Sequence, residues 1–389
     1  DTKFVRQEDQ LGTAHAVSMA TPELCADAIV VVLYGDVPLI RPVTLQRMLA
    51  SVNKKSMGLL TISLDDADGY GRIVRSADGL IESIVEQKDA TNEQRNICEI
   101  NTGVMALTSL QLRNWLPQIS NNNAQGEYYL TDIIAIARQN GIEVNSINPE
   151  SVTEVEGVNS RLQLSQLERA HQLELAKQLM ESGTTLADPA RFDQRGQLSV
   201  GTDNFIDINC IFEGNVTIGS NVSIGPNCCI INSTIGNDVE ILANTIIDSS
   251  EVGDSAVIGP FARIRPGTEL AEHTKVGNFV ETKKSQVGKG SKINHLSYVG
   301  DSELGENVNI GAGTITCNYD GVEKHKTLLG DGVFVGSNST LVAPITVGNG
   351  GFIAAGSTIT TKVPKDSLGV GRGKQRNIKG WQRPIKRED

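Results

Sequence analysis

From about Ile218 to Ile359, a small aliphatic residue followed by glycine returns at a spacing close to six. The clearest beats are Ile218-Gly219, Ile224-Gly225, Ile235-Gly236, Val252-Gly253, Ile258-Gly259, Val276-Gly277, Val287-Gly288, Val299-Gly300, Ile310-Gly311, Leu329-Gly330, Val335-Gly336 and Val347-Gly348. That period is too short for any solenoid of helices, so the unit must be one extended segment plus a corner. The aliphatic side chain is expected to point inward, and the glycine to supply a corner that needs no Cβ. Three such sides make a triangular coil whose strands stack on the next coil at about 4.8 Å. A coil buries little apolar surface alone, so stability must come from stacking. A sandwich would instead show turn signals roughly every 8–12 residues and no fixed aliphatic-glycine register. The pattern predicts a parallel β-helix of hexapeptide repeats.

The chain of 389 residues exceeds what one hydrophobic core usually organises, so two domains are expected. A net charge of -11 argues against a general nucleic-acid binder, whose affinity depends on neutralising phosphates, although locally basic pockets stay open. The 6 cysteines, including adjacent Cys228 and Cys229, have neither zinc-ligand spacing nor the density of a disulfide scaffold. They read as reduced small hydrophobes in a cytoplasmic protein. With no signal-peptide pattern and no apolar stretch of bilayer length, membrane insertion is not expected.

The sequence opens at Asp1-Thr-Lys-Phe, and Gly12 to Ala20 can start a helix. Ala28 to Tyr34 is a continuous apolar run of the kind found in a parallel strand covered on both faces. Gly35-Asp36 follows at once, and a carboxylate just past the end of such a strand is where open α/β sheets place ligands or metals. A turn or helix-cap role for that Asp is equally open. Apolar runs at Gly58–Leu64, Leu80–Val85 and Gly103–Leu107, with helical patterns at Val43–Val52 and Tyr129–Gln139, complete a mixed α/β layer domain that looks as if it lacks its first strand. A long helix is expected from Asn159 or Ser160 to Glu181, stopped by Gly183. The expected organisation is a Rossmann-like α/β domain over residues 1–158, a connecting helix over 159–183 and the β-helix with its tail over 184–389. Asn318 to Thr327 interrupts the six-beat, and such insertions often line a binding face. The last stretch, Arg372 to Lys386, is basic and carries Trp381, which is expected to pack on a neighbouring subunit unless the tail is disordered.

His295 sits inside the repeats, where little helical packing is available to bury an imidazole. Its ordinary pKa lies closest to neutrality among side chains, so it can take a proton from an amine or hydroxyl nucleophile, or simply stack on a neighbouring coil. Arg263, Arg265, Lys283, Lys284, Lys289, Lys292 and Lys324 form a basic cluster in an acidic protein. Arg265 and Lys283 are eighteen residues apart and can lie one coil above the other, which suits a phosphate; a solvated basic face is the alternative.

The chain resembles the bacterial bifunctional N-acetylglucosamine-1-phosphate uridylyltransferase/glucosamine-1-phosphate N-acetyltransferase family. The resemblance is carried by Gln10-Leu-Gly-Thr-Ala-His15, Leu33-Tyr-Gly-Asp-Val-Pro38, Gly69-Tyr-Gly-Arg-Ile73, Ile84-Val-Glu-Gln-Lys-Asp89, Glu99-Ile-Asn-Thr-Gly103 and Glu154-Val-Glu-Gly-Val-Asn159. In the second half it is carried by Arg263-Ile-Arg-Pro-Gly267, Gly277-Asn-Phe-Val-Glu-Thr-Lys283, Asn309-Ile-Gly-Ala-Gly313 and Thr316-Cys-Asn-Tyr-Asp-Gly321. It covers essentially the whole sequence and implies that the β-helix is left-handed. It also implies a homotrimer with the acetyltransferase site between subunits.

By that resemblance, His295 is the general base on the glucosamine amine and Glu281 the carboxylate that orients it. Arg265, Lys283, Tyr298 and Lys324 hold the sugar phosphate and sugar, and Asn309 contacts the substrate. Asn318 and Tyr319 position sugar and acetyl group, Asn318 counting among the catalytic residues. Ser337, Ala355 and Arg372 contact acetyl-CoA, the cosubstrate. For the first domain the resemblance implies uridylyl transfer from UTP to N-acetylglucosamine-1-phosphate. There Gln10, Gly12 and Thr13 lie near the uracil, and Gly71, Glu86 and Asn101 recognise the sugar. Tyr34, Gly35, Asp36 and Asn159 complete the nucleotide site. Asp36 and Asn159 are the implied Mg2+ ligands, and that hard ion takes oxygen donors.

One departure stands out. The family begins with a strand and a Gly-rich loop, Leu-Ala-Ala-Gly-x-Gly-Thr-Arg-Met, followed by a lysine at the triphosphate, and no such segment occurs in this sequence. The expectation is negligible uridylyl transfer by these residues alone. A non-catalytic trimeric scaffold and acetyl transfer to a different acceptor are the other readings. His295 with its cations argues against the first, and the Arg265–Lys283 pair against the second.

Overall fold

The computed structural model describes residues 2–384; Lys386, at the end of the basic tail, lies outside the described residues. The chain divides into two compact units, Asp1–Ala170 and His171–Asp389.

The first unit is built on a 6-stranded sheet in the order Ile81–Val85, Arg72–Arg75, Glu99–Thr108, Ser56–Ser63, Glu143–Ile147, with Ile29–Val32 also paired to Glu99–Thr108. The two central strands are buried almost end to end because apolar layers cover both faces. Alternation along the strands divides the side chains. Leu59, Met105 and Leu107 join one layer with Ile133 and Ile134, while Leu60, Val104 and Ala106 join the other with Met48. Helix Pro42–Ala50 opens with proline at its first position, where the missing N–H costs nothing. Helix Ser109–Trp115 opens with a capping box between Thr108 and Gln111.

The run Ala28–Tyr34 differs from expectation. Its strand pairs antiparallel, Val30 against Leu107 and Val31 against Ala106, and Ile29 stays 43% exposed. Its one pairing among the described residues is with Glu99–Thr108, so an apolar run that reads as fully covered is only half-buried. Strands Arg72–Arg75 and Glu143–Ile147 had no sequence counterpart, being short and mixed in polarity.

The long helix spans Arg161–Glu181. Ser160 Oγ accepts the Gln163 N–H at 3.2 Å, satisfying one donor at the helix start, and Gly183 leaves the helix at φ 102°. In the second unit Gln172 pins the solenoid's entry by bonding both ways to the Gln194 backbone, at 2.7 and 2.8 Å.

The second unit is a left-handed parallel β-helix. On one face, an 11-stranded parallel sheet stacks Ile224, Ile241, Ile258, Val276, Ile293, Ile310, Val335 and Ile353 in successive coils, each almost wholly buried. The aliphatic partner of every aliphatic-glycine pair points inward. Each such side chain contributes about 2 kcal/mol by its burial, which a single coil could not provide.

The glycines act through proximity. A Cβ on Gly219 would lie 2.7 Å from the Gly236 carbonyl of the next coil, while the left-handed turn itself falls two residues later, at Asn221 with φ 61°. Asparagine tolerates that turn, as Asn227 and Asn244 do at φ 60°. The insertion loops out between strands Ile315–Cys317 and Thr327–Leu329.

Candidate active site

On the solenoid, strand register brings the basic residues together selectively. Arg263 faces Glu281 and Ile264 faces Thr282, which sets Arg265 beside Lys283 one coil on. Arg265 Nη1 donates to Glu281 Oε1 at 2.5 Å. Lys324, reaching over from the insertion, meets Lys283, and this ammonium, followed by Arg265, holds the Lys283 pKa below its ordinary value. Elsewhere the cluster disperses. Lys289 pairs with Glu272, and Lys292 stacks between Lys275 and Asn309 on the sheet that carries His295.

His295 ends strand Lys292–His295, and Tyr298 begins the next strand after a left-handed corner at Leu296, φ 49°. The imidazole is exposed, and its Nδ1 lies 2.8 Å from Asn278 Oδ1, one coil below. An amide oxygen only accepts, so this contact selects the tautomer with the proton on Nδ1, and in that neutral tautomer Nε2 has the lone pair. Glu281, expected on the imidazole, instead lies on the strand beyond the corner and is engaged by Arg265. Asn278 is the residue that sequence reasoning missed. Its position seventeen residues before His295, one coil length, was the available signal.

Around that corner Tyr298 stands in register with Glu281, and Asn318 Nδ2 reaches the Tyr298 hydroxyl at 3.4 Å and Asp301 Oδ2 at 2.5 Å. Tyr319 bridges to Lys324 across the inserted loop and stays exposed. The residues expected at acetyl-CoA form a line of contacts climbing from His295. The Gly313 N–H meets the His295 carbonyl at 3.4 Å, Asn338 N–H meets Ala312 at 2.7 Å, Gly356 N–H meets Ser337 at 2.8 Å, and Arg372 Nη1 caps the Ala355 carbonyl at 2.7 Å. Ser337 and Ala355 are both exposed along this line.

In the first unit a cavity of about 520 Å3 is lined by Thr13, Tyr34, Asp36, Gly71, Glu86, Asn101 and Asn159, with Thr131 and Gly103 among others. Burial pushes the Glu86 carboxyl up, opposed by a 2.9 Å hydrogen bond from Thr131 and reinforced by Asp132 and Asp89. Burial, with Glu86 and Asp36 nearby, likewise raises the Tyr34 phenol. Gln10, Gly12 and Gly35 do not line this cavity; Gly12 packs on the Tyr128 backbone and Gln10 is exposed. Asp36 and Asn159 offer oxygen donors from one wall region, where the Val158 N–H holds the Asp36 carbonyl at 2.8 Å. The described residues hold no group of three or more His, Cys, Asp or Glu placed as metal ligands. A sparse oxygen set suits magnesium, which keeps waters and takes substrate phosphates as its remaining ligands. No helix among the described residues is long and apolar enough to cross a membrane.

A left-handed β-helix with an imidazole and convergent cations at one corner, joined to an α/β unit with a carboxylate-lined cavity, marks a hexapeptide-repeat transferase with two candidate sites. A family profile described as GMPPB C-terminal domain matches residues 195–278. The chain is 60% identical over 383 residues to the bifunctional protein GlmU of Marinobacter nauticus, covering 98% of this chain and 84% of that protein. It is 56% identical over 387 residues to the bifunctional protein GlmU of Cellvibrio japonicus, covering 100% of this chain and 85% of that one. Among solved structures, the UDP-N-acetylglucosamine acyltransferase of Francisella novicida matches with a TM-score of 0.32 and 18% identity, over 48% of this chain and 67% of that chain. The chain belongs to the family of bifunctional GlmU proteins.

Proposed function

We propose that the solenoid transfers the acetyl group of acetyl-CoA to the amine of glucosamine-1-phosphate. The observation that carries the reading is the convergence of Arg265, Lys283 and Lys324 around the corner from an imidazole whose Nε2 is free. The three cations take the sugar phosphate, arginine as a fork and the lysines as point charges. Glu281 fixes the Arg265 guanidinium. Tyr298, Asn309, Asn318 and Tyr319 orient the sugar, and the line through Ser337, Ala355 and Arg372 takes acetyl-CoA.

The neutral amine attacks the thioester carbonyl while His295 Nε2 accepts its proton. The tetrahedral intermediate then collapses, the C–S bond breaks, and the proton passes to the departing thiolate. An N–H donor such as Asn318 Nδ2 stabilises the oxyanion. No covalent enzyme intermediate is needed.

The reading extends to a cytoplasmic homotrimer with the site completed between subunits. Phe261 and Phe279, stacked at 5.3 Å, and Leu296 form an exposed apolar ridge beside His295 that supports such packing. Light scattering checks it, and a fully active monomer would sink it. In the N-terminal cavity, Glu86, Asn101 and Gly71 take the N-acetylglucosamine moiety that uridylyl transfer from UTP links to UMP in the family, although transfer by these residues alone is expected to be negligible. Asp36 and Asn159 would hold Mg2+, which when bound supplies charge neutralisation at the phosphates.

The direct test is steady-state acetyl transfer to glucosamine-1-phosphate, with His295→Ala as control. A folded, trimeric chain that leaves this sugar unacetylated refutes the acceptor assignment. Calorimetric titration with UDP-N-acetylglucosamine, compared with Glu86→Gln, tests the cavity separately.

A further inference from the structure

The inserted loop that brings Lys324 to Lys283 is held by residues outside the proposed substrate contacts. Asp320 binds its own loop. One carboxylate oxygen accepts the N–H groups of Val322 and Glu323 at 2.8 and 2.7 Å, and the other lies 2.7 Å from His325 Nε2. The His325 N–H returns to the Asn318 carbonyl at 2.8 Å and closes the hairpin at its base. Those backbone donors, with His325, hold the Asp320 carboxyl well below the usual carboxylate range.

Asp301 joins this hairpin to the rest of the site. Its side chain accepts from Asn318 Nδ2 at 2.5 Å, its carbonyl accepts the Thr327 N–H at 3.2 Å, and its own N–H donates to the Lys283 carbonyl at 2.9 Å. One residue therefore ties both ends of the loop to the strand carrying Lys283. It does so at φ 47°, the left-handed corner that Lys284 adopts one coil below at φ 46° and that a short polar side chain tolerates.

We propose that Asp301 and the Asp320–His325 pair are positioning residues that hold Lys324 over Lys283, so that the phosphate of the acceptor meets a loop already in its binding shape. The inference rests on the acetyltransferase reading above and deepens it. A preformed loop avoids the ordering cost that a free one would incur at binding, so loosening it weakens affinity for the phosphorylated acceptor and leaves the chemistry at His295 intact.

The test uses the full chain carrying His325→Ala, Asp301→Ala or Asp301→Asn, with thermal melting to establish folding. His325→Ala should raise KM for glucosamine-1-phosphate roughly tenfold, with kcat and the KM for acetyl-CoA within about twofold of the parent, whereas Asp301→Ala, which also releases the Asn318 amide, should raise that KM at least as much and lower kcat as well. Inhibition by inorganic phosphate should weaken in parallel, and transfer to unphosphorylated glucosamine, which lacks the group Lys324 meets, should fall much less. Asp301→Asn keeps an acceptor for Asn318 and should retain most of the affinity, which separates positioning from a folding defect. Unchanged KM in both alanine variants, or an equal loss on glucosamine, would overturn the inference while leaving the acetyltransferase reading in place. If the parent chain itself fails to acetylate glucosamine-1-phosphate, that reading falls and this inference falls with it.

Discussion

Replacing Lys324 by methionine separates what the cation cluster costs the free protein from what it contributes to binding. In the free protein Lys324 and Lys283 repel, and the Lys324 ammonium is the largest influence lowering the Lys283 pKa from 10.5. A base whose folded value is depressed disfavours folding while protonated, and the penalty is relieved as pH rises through the folded value toward 10.5. K324M should therefore melt no lower than the parent at neutral pH and lose that alkaline gain.

Binding should move the other way. Two unit charges 4 Å apart interact by about 1 kcal/mol in water and about 4 kcal/mol near a protein surface, and this exposed patch belongs near the lower figure. A phosphate monoester carries a charge of about -1.5 to -2 at neutral pH, which doubles the attraction to about 2 kcal/mol. That energy corresponds to roughly a 30-fold rise in KM for glucosamine-1-phosphate. The assay is KM for glucosamine-1-phosphate and for glucosamine, each at low and high ionic strength. K324M should leave glucosamine unchanged and flatten the salt dependence of the phosphorylated acceptor. A KM shift below about threefold, or an equal loss on both sugars, would refute the phosphate assignment.

Four further outcomes follow from single side chains. His295→Ala should lower kcat by about 10^2 to 10^4 without altering melting, whereas Asn278→Ala should cost roughly tenfold and shift the pH–rate profile, since only the tautomer is disturbed. Gly300→Ala would place a Cβ on the Tyr298 hydroxyl and 2.9 Å from Asn318 Nδ2. Overpacking of that kind costs about 1–3 kcal/mol in chemical denaturation, and sugar affinity should fall with it. Glu86→Gln should stabilise the N-terminal unit at neutral pH. The carboxyl is raised above 4.5 by burial, so the parent loses stability as pH climbs from that value through the folded one, and the amide should remove this contribution to the slope in a melting series across pH, leaving that of Asp132, which burial also raises.

The solenoid was legible because its physics is local. An inward aliphatic and a glycine with no room for Cβ recur at a period that only a coil of short strands can satisfy, and every aliphatic partner of the series is buried. The glycine's role was less legible. Its crowding comes from the coil above, as between Gly219 and Gly236, whereas the turn belongs to Asn221. The Val-rich strand Ile29–Val32 misled for a related reason: an apolar run reports affinity for a sheet, but neither strand direction nor how many neighbours cover it.

At the site, the register of Arg265 over Lys283 followed from coil length alone, because the intervening residues contain no insertion. Lys324 could not be placed that way, since it lies on the insertion that breaks the count, and contacts made by Asp301, Asn318, His325 and Lys326 fix where that loop returns. Glu281 shows the limit most clearly. Its spacing to His295 is compatible with a shared hydrogen bond, but a corner separates their strands, and Arg265 on the adjacent coil reaches the carboxylate at 2.5 Å. Asn278, sharing the His295 face one coil below, meets the imidazole instead. In a β-helix, then, partners of a functional side chain should be sought one coil length away before they are sought among nearby charges.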